Sequence, residues 1–357
     1  MTATTDPSDT TADTADTADT ANARTARFDT AALITLPVRL VVGWTYFSAF
    51  WRRVALEDKL NPDLPGYIGE KFNHFLPNAL GIGPIIEHLL THPGLLQAAM
   101  TVFTIAEGLV GAAIMLGLCT RLMSVGVFSF AFGILLSAGW LGTTCLDEWQ
   151  IGILGVAAGF MLFLSGGGRY SLDRLLVGRR PGLGERRWFA WLASGPIPLR
   201  TPAVLGTTAA IAALTLFTNQ FFHGGVYGPL HNKSVAPRIE ITDATLTDDT
   251  LRFQLYRTEG ADVYGAFLIG LDVLDTATGQ PLLHLDGDDL AALDPAVIDN
   301  RYLAPVAPGA HALVVPLGAK AQLTLPSAPA RPGHDYALIL TDVSGAAWQH
   351  PVELRAD

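Results

Sequence analysis

The chain has 357 residues; half are hydrophobic, only 16% are charged and the mean hydropathy is positive, whereas soluble globular domains carry about 25% charged residues. The net charge of -10 is unevenly spread: residues 1–30 hold six acids and two bases (-4), residues 31–222 ten and thirteen (+3), and residues 223–357 seventeen and eight (-9). A basic-to-neutral apolar middle between acidic ends argues against nucleic acid as a partner, and two cysteines, Cys119 and Cys145, give neither a disulfide framework nor a CxxC motif.

Residues 1–30 repeat ADT and lack a basic region followed by an apolar run and cleavage site, so they read as a disordered tail rather than a signal peptide. Five apolar runs then reach spanning length: Ala31–Trp51, Leu96–Leu118, Leu122–Leu141, Gln150–Ser165 and Pro202–Phe222. Pro37 is tolerable near the start of the first, and Gly43, Gly108, Gly111 and Gly117 are small enough to let helices approach closely. The expected organisation is a four-helix membrane domain over 31–178, a basic linker over 179–200, a fifth transmembrane helix over 201–223 and a second domain over 234–357.

Between Arg169 and Arg200 stand seven arginines (Arg169, Arg174, Arg179, Arg180, Arg186, Arg187, Arg200) against Asp173 and Glu185, a cytoplasmic signal. Alternation then places the N-terminus inside, and the loop 142–149 and the C-terminal domain outside. Cys119 and Cys145 would fall at opposite faces. The outer loop Arg52–Leu95 is apolar at helical spacing (Tyr67, Ile68, Phe72, Phe75, Leu76), with a second short helix after Pro84, and is expected to lie along the membrane and roof a site. From Ser234 onward, RIEITDATLTDDTLRFQLYR, AFLIGLDVLD, HALVVPLG, AQLTLP and DYALILTDVSG alternate apolar and polar residues, which indicates an antiparallel β-sandwich tethered by HGGVYGPLHNKS.

Chemistry concentrates at a few places. Glu107 is the lone ionisable residue of its span, and Arg39 lies at a depth differing by roughly 6 Å along an ideal helix, within reach of a pair. Such a pair either fixes helix packing or forms a polar site for a quinone head group or proton transfer. Arg52 and Arg53, opposite Asp147, Glu148 and Trp149, suit a small oxyanion, or else snorkel at the interface. Trp44, Tyr46, Phe47, Phe50 and Trp51 make the first helix aromatic, as packing or as quinone neighbours. His88 and His92 sit four apart without a specified third ligand, so no metal site is assigned; His74 follows Glu70 at the same spacing. Histidines without cysteine in the C-terminal region exclude a Cys-ligated blue-copper centre, Leu285–Leu290 (LDGDDL) reads as a turn, and no nucleotide or haem motif is present.

PVRLVVGWTYFSAFWRR, AEGLVGAAIMLGLCTRL and DEWQIGILGVAAGFMLFLSGGGRYSLDRLL, over about residues 31–178, resemble the DoxD small subunit of thiosulfate:quinone oxidoreductase, within the broader DoxX-like membrane proteins. KFNHF and the closing GGGRYSLD favour DoxD, and the region after 200 looks like the DoxA partner fused to it. The resemblance implies oxidation of two thiosulfates to tetrathionate with a membrane quinone as acceptor, in a multi-pass protein of the cell membrane. Its candidate residues are Glu107, Arg39 and Glu148 for catalysis, Arg52 and Arg53 for thiosulfate, and Trp44 and Trp149 for quinone. A non-catalytic DoxX-like scaffold with an outer binding domain is the alternative, and homo-oligomerisation stays open.

Overall fold

The computed structural model describes residues 23, 25–64, 66–142, 147–247, 249–262, 265–331 and 333–355. Cys145, and with it the expectation about the two cysteines, lies outside the described residues. The chain divides into two compact units: residues 1–57, 102–132 and 153–215 form one, and residues 58–101, 133–152 and 216–357 the other.

Among the described residues four helices are long and apolar enough to cross a membrane: α5 (Pro93–Leu116), α6 (Thr120–Ala138), α7 (Asp147–Ser165) and α10 (Thr201–His223). Helices α1 (Thr25–Ile34) and α2 (Leu36–Trp51) are together long and apolar enough for a fifth, as a pair bent by 52° at their junction. The cause is Pro37. It has no N–H for the Leu33 carbonyl, and its ring crowds that carbonyl, so the helix breaks at Thr35 and restarts with proline in its first turn. The protein is a membrane protein with a helical region followed by a β-rich domain.

In the first unit the helices meet through glycine. A Cβ on Gly111 would lie 2.4 Å from the Phe47 backbone nitrogen, so α2 and α5 touch backbone to backbone there, and Gly43 and Gly108 extend the seam against Met115 and Phe50. Tyr46, Val110, Ile114, Val127 and Leu162 form the core among α2, α5, α6 and α7. Two short helices follow α7: α8 (Leu172–Arg179), capped by Ser171 accepting from the Arg174 backbone N–H at 3.2 Å, and α9 (Arg187–Leu192).

The second unit contains α3 (Lys71–Phe75), α4 (Gly83–Leu90) and the β domain. Strands β1 (Arg238–Leu246), β2 (Thr250–Glu259), β8 (Lys320–Pro326) and β5 (Ile298–Asn300) make one sheet. The other comprises β10 (Ala347–Leu354), β9 (Tyr336–Asp342), β3 (Ala266–Asp275), β4 (Pro281–Asp286), β7 (Leu313–Val315) and β6 (Ala307–Pro308). The pairings are antiparallel except for a short parallel contact of β1 with β10 at Thr245–Glu353 and Leu246–Leu354, which makes the two sheets continuous. Phe253, Leu255 and Leu323 from one face pack with Leu271, Val273, Leu338 and Leu340 from the other in a single core. Alternation predicts these inward positions, with one slip: a bulge between Thr242 and Thr245, where Asp243 takes φ 52°, lets both Ile241 and Ala244 face inward. The LDGDDL stretch is more than a turn. Asp286 and Asp289 form a reciprocal cap for α11 (Gly287–Ala291).

Candidate functional site

Immediately after α2 the backbone widens into a π-helix over Arg52–Leu56, a form that recurs at functional sites. Here the Arg53 guanidinium Nη1 donates to Glu107 Oε2 of α5 and reaches Thr104 Oγ1 at 3.5 Å. Glu107 is only 3% exposed and the Arg53 side chain 19%. Phe103 lies 6.0 Å beneath the guanidinium, edge-on to Phe130 at 5.1 Å, and Phe130 packs on Tyr46 at 5.7 Å. The Tyr46 hydroxyl donates to the Val127 carbonyl at 3.3 Å. The site is thus an ion pair with a hydroxyl at one edge, walled by aromatic rings, inside an apolar bundle. Such a pair strengthens in low dielectric and loses heavily if one member goes.

Glu107 therefore has an arginine partner, but it is Arg53 rather than Arg39. The Arg39 guanidinium donates to the Gly167 and Tyr170 carbonyls instead. Arg52 and Arg53 are not brought onto one ligand: Arg52 is exposed with its Nε on the Ser48 carbonyl at 3.3 Å, while Arg53 turns inward. Successive side chains on a helix point in different directions, so adjacent arginines rarely form one clamp. Trp44 is 58% exposed on α2. In the other unit, Glu148 is half-buried in the first turn of α7, and the Trp149 indole donates to Thr218 Oγ1 at 2.9 Å. The His88 and His92 rings stand 4.3 Å apart, with His92 Nδ1 on the His88 carbonyl at 2.8 Å.

Sequence reasoning missed a second buried network in the first unit. Asp173, fully buried, accepts from the Cys119 and Thr120 backbone N–H groups (2.7 and 3.1 Å), the Thr120 hydroxyl (2.9 Å) and the Ser194 hydroxyl (2.7 Å). It caps the N-terminus of α6 from a distance. Arg121, also fully buried, donates to the Phe163, Ala190 and Gly195 carbonyls. The available signal was the GGGRYSLD motif, which supplies Asp173 itself and the Gly167 and Tyr170 carbonyls that accept from Arg39.

Family models for two small subunits of thiosulfate:quinone oxidoreductase match the chain, DoxD over residues 34–200 and DoxA over residues 222–351. The chain is a DoxD–DoxA fusion. The Arg53–Glu107 pair and the Asp173 network belong to the DoxD match, and the β domain is DoxA.

Part of the DoxD match packs on the DoxA strands within the second unit. Asn73 of KFNHF, fully buried in α3, donates to the Gly318 carbonyl at 3.3 Å and accepts from the Ala304 N–H at 3.2 Å. The fit demands glycine: at Gly318 (φ +73°) a Cβ would fall 1.8 Å from the Asn73 carbonyl oxygen. Asn78 donates to the Thr258 carbonyl at 3.0 Å and accepts from Lys233 at 3.1 Å, and Tyr302 donates to Glu87 at 2.8 Å. Residues 71–87 thus spend polar side chains on the β domain. His74 sits in this contact, 3.9 Å from Asp262, which also meets Lys71 at 3.1 Å. Burial, aided by Lys71 and Arg257 and opposed by Asp262, holds the His74 imidazole down at about 4. Burial also lowers the Arg257 guanidinium to about 10, with Asp342 and Asp262 opposing.

Proposed function

We propose that this DoxD–DoxA chain oxidises thiosulfate and passes the electrons to a membrane quinone. Two thiosulfates join through their terminal sulfurs as tetrathionate and release two electrons; one quinone takes these with two protons and becomes quinol. Both family matches support this reading, and the observation that carries it is the Arg53–Glu107 pair buried among Phe103, Phe130 and Tyr46. A guanidinium, a hydroxyl and a carboxylate at one edge with rings behind them fit a quinone head group, which needs polar contacts at its carbonyls and an apolar bed.

Glu107 then relays a proton to a quinone oxygen, taking it up only in passing it on, and Arg53 keeps that carboxylate in place while its guanidinium donates to a quinone carbonyl oxygen. Arg52, exposed beside the pair, is assigned to the thiosulfate dianion. Trp44 offers an apolar flank. Arg39, with its donors on main-chain carbonyls, is assigned a supporting part rather than proton transfer. The arginine-rich 169–200 segment argues for a cytoplasmic position, with the DoxA domain on the outer side.

Turnover of purified chain with thiosulfate and a soluble quinone analogue tests the assignment. Arg52→Gln raises KM for thiosulfate with kcat nearly kept, and Glu107→Gln lowers kcat by roughly 100-fold, as for loss of a general acid–base. Wild-type chain without turnover would leave a non-catalytic membrane component.

A further inference from the structure

The segment between α7 and α10 is the most basic surface of the chain, and the Arg53–Glu107 site makes no use of it. All seven of its arginines are exposed, and among the described residues none of them forms an ion pair. Of its two acids, Asp173 is buried and spent on Cys119, Thr120 and Ser194, so Glu185 alone faces outward. Apolar side chains are exposed on the same segment: Trp188 and Trp191 at 50% and 46%, Leu175 at 47% and Leu192 at 41%. Phe189, between the two tryptophans, is 5% exposed, so α9 is held inward by phenylalanine and shows its indoles outward.

We infer that α8, α9 and their flanks form a binding surface for anionic phospholipid headgroups. The helix before this segment ends at Ser165 and the helix after it begins at Thr201, and both are membrane spans, so the segment is confined to the headgroup zone. Guanidinium groups present forked donors to phosphate oxygens, and indoles favour the interface between water and hydrocarbon. A soluble acidic protein would be met by the arginines but would leave Trp188, Trp191 and Leu192 without an apolar bed; a lipid leaflet supplies charge and bed together.

The test uses the intact chain in phosphatidylcholine vesicles with a minor share of phosphatidylglycerol. Bromine is placed on the acyl chains either of the phosphatidylglycerol or of an equal share of phosphatidylcholine, and tryptophan quenching is compared. The contribution of α9 is the difference between wild type and Trp188→Phe/Trp191→Phe. Brominated phosphatidylglycerol should report an enrichment of at least about fivefold around these indoles, the factor one arginine contributes near an anionic surface. The excess should vanish in Arg179→Gln/Arg180→Gln/Arg186→Gln/Arg187→Gln, whose four side chains are exposed and whose melting should match wild type. Equal quenching by both lipids, or an excess that survives the four substitutions, would overturn the inference. So would an excess seen only after deletion of residues 1–22, which carry five aspartates and no lysine or arginine, because the acidic tail would then be the occupant in the intact chain.

Discussion

Removing Arg53 while keeping Glu107 strands a carboxylate that is 3% exposed inside an apolar bundle. Loss of one member of a buried ion pair costs about 3–5 kcal/mol, and a charge at membrane depth costs at least ~2.5 kcal/mol even on insertion scales. Arg53→Met should therefore destabilise by about 3 kcal/mol, near the lower bound because the arginine side chain is 19% exposed. Glu107→Gln keeps an acceptor for the guanidinium and should cost less, about 1–2 kcal/mol. The double variant Arg53→Met/Glu107→Leu removes both charges and should recover to within about 1 kcal/mol of wild type. Reversible SDS unfolding in mixed micelles supplies the cycle. Coupling between positions 53 and 107 should reach about 2 kcal/mol, whereas Arg39→Met and Glu107→Leu, which share no hydrogen bond, should add to within about 0.5 kcal/mol. Strong coupling of position 107 to position 39 with none to 53 would refute the assigned pair.

Three further outcomes follow from the second network and the loop contact. Asn73→Ala leaves the buried Ala304 N–H without its acceptor at 3.2 Å, which should cost about 1–3 kcal/mol and expose the KFNHF loop to limited proteolysis. His74 is held at about 4 in the fold and titrates near 6.5 when unfolded, so the unfolded state binds more protons between these values. Stability contributed at this position is thus complete above pH ~6.5 and lost progressively as pH falls toward ~4, by about 3 kcal/mol in total; melting curves of His74→Gln should lack that acid limb. Asp173→Asn replaces a carboxylate accepting four hydrogen bonds with a single amide oxygen and should lower stability by about 2 kcal/mol, read by thermal melting in nanodiscs.

How far residues alone revealed the molecule depended on the range of the interaction. The spans follow from hydropathy, and Pro37 correctly marks a helix start, though not the 52° bend that starting there produces. Glu107 is visible as a polar intrusion in α5. Its partner is not, because a depth calculation on straight helices favours Arg39 and has no knowledge of a π-helix that turns Arg53 inward. The contact of Asn73 with Ala304 and Gly318 crosses 231 and 245 residues of chain, and nothing local to KFNHF signals it. Similarly, the Gly195 carbonyl that accepts from Arg121 lies 74 residues on, with no local signal in the chain. Alternation finds the β-domain core but not the parallel contact that joins its sheets, since two residue pairs leave no pattern in sequence.

The central claim is best tested in membranes that contain this polypeptide as the added component, supplied with thiosulfate and a soluble quinone analogue. Quinol and tetrathionate should form in equal amounts, two thiosulfates being consumed for each quinone reduced, and both should fall together in Glu107→Gln. Quinone that stays oxidised in the presence of thiosulfate, with the chain folded and inserted, would contradict the account.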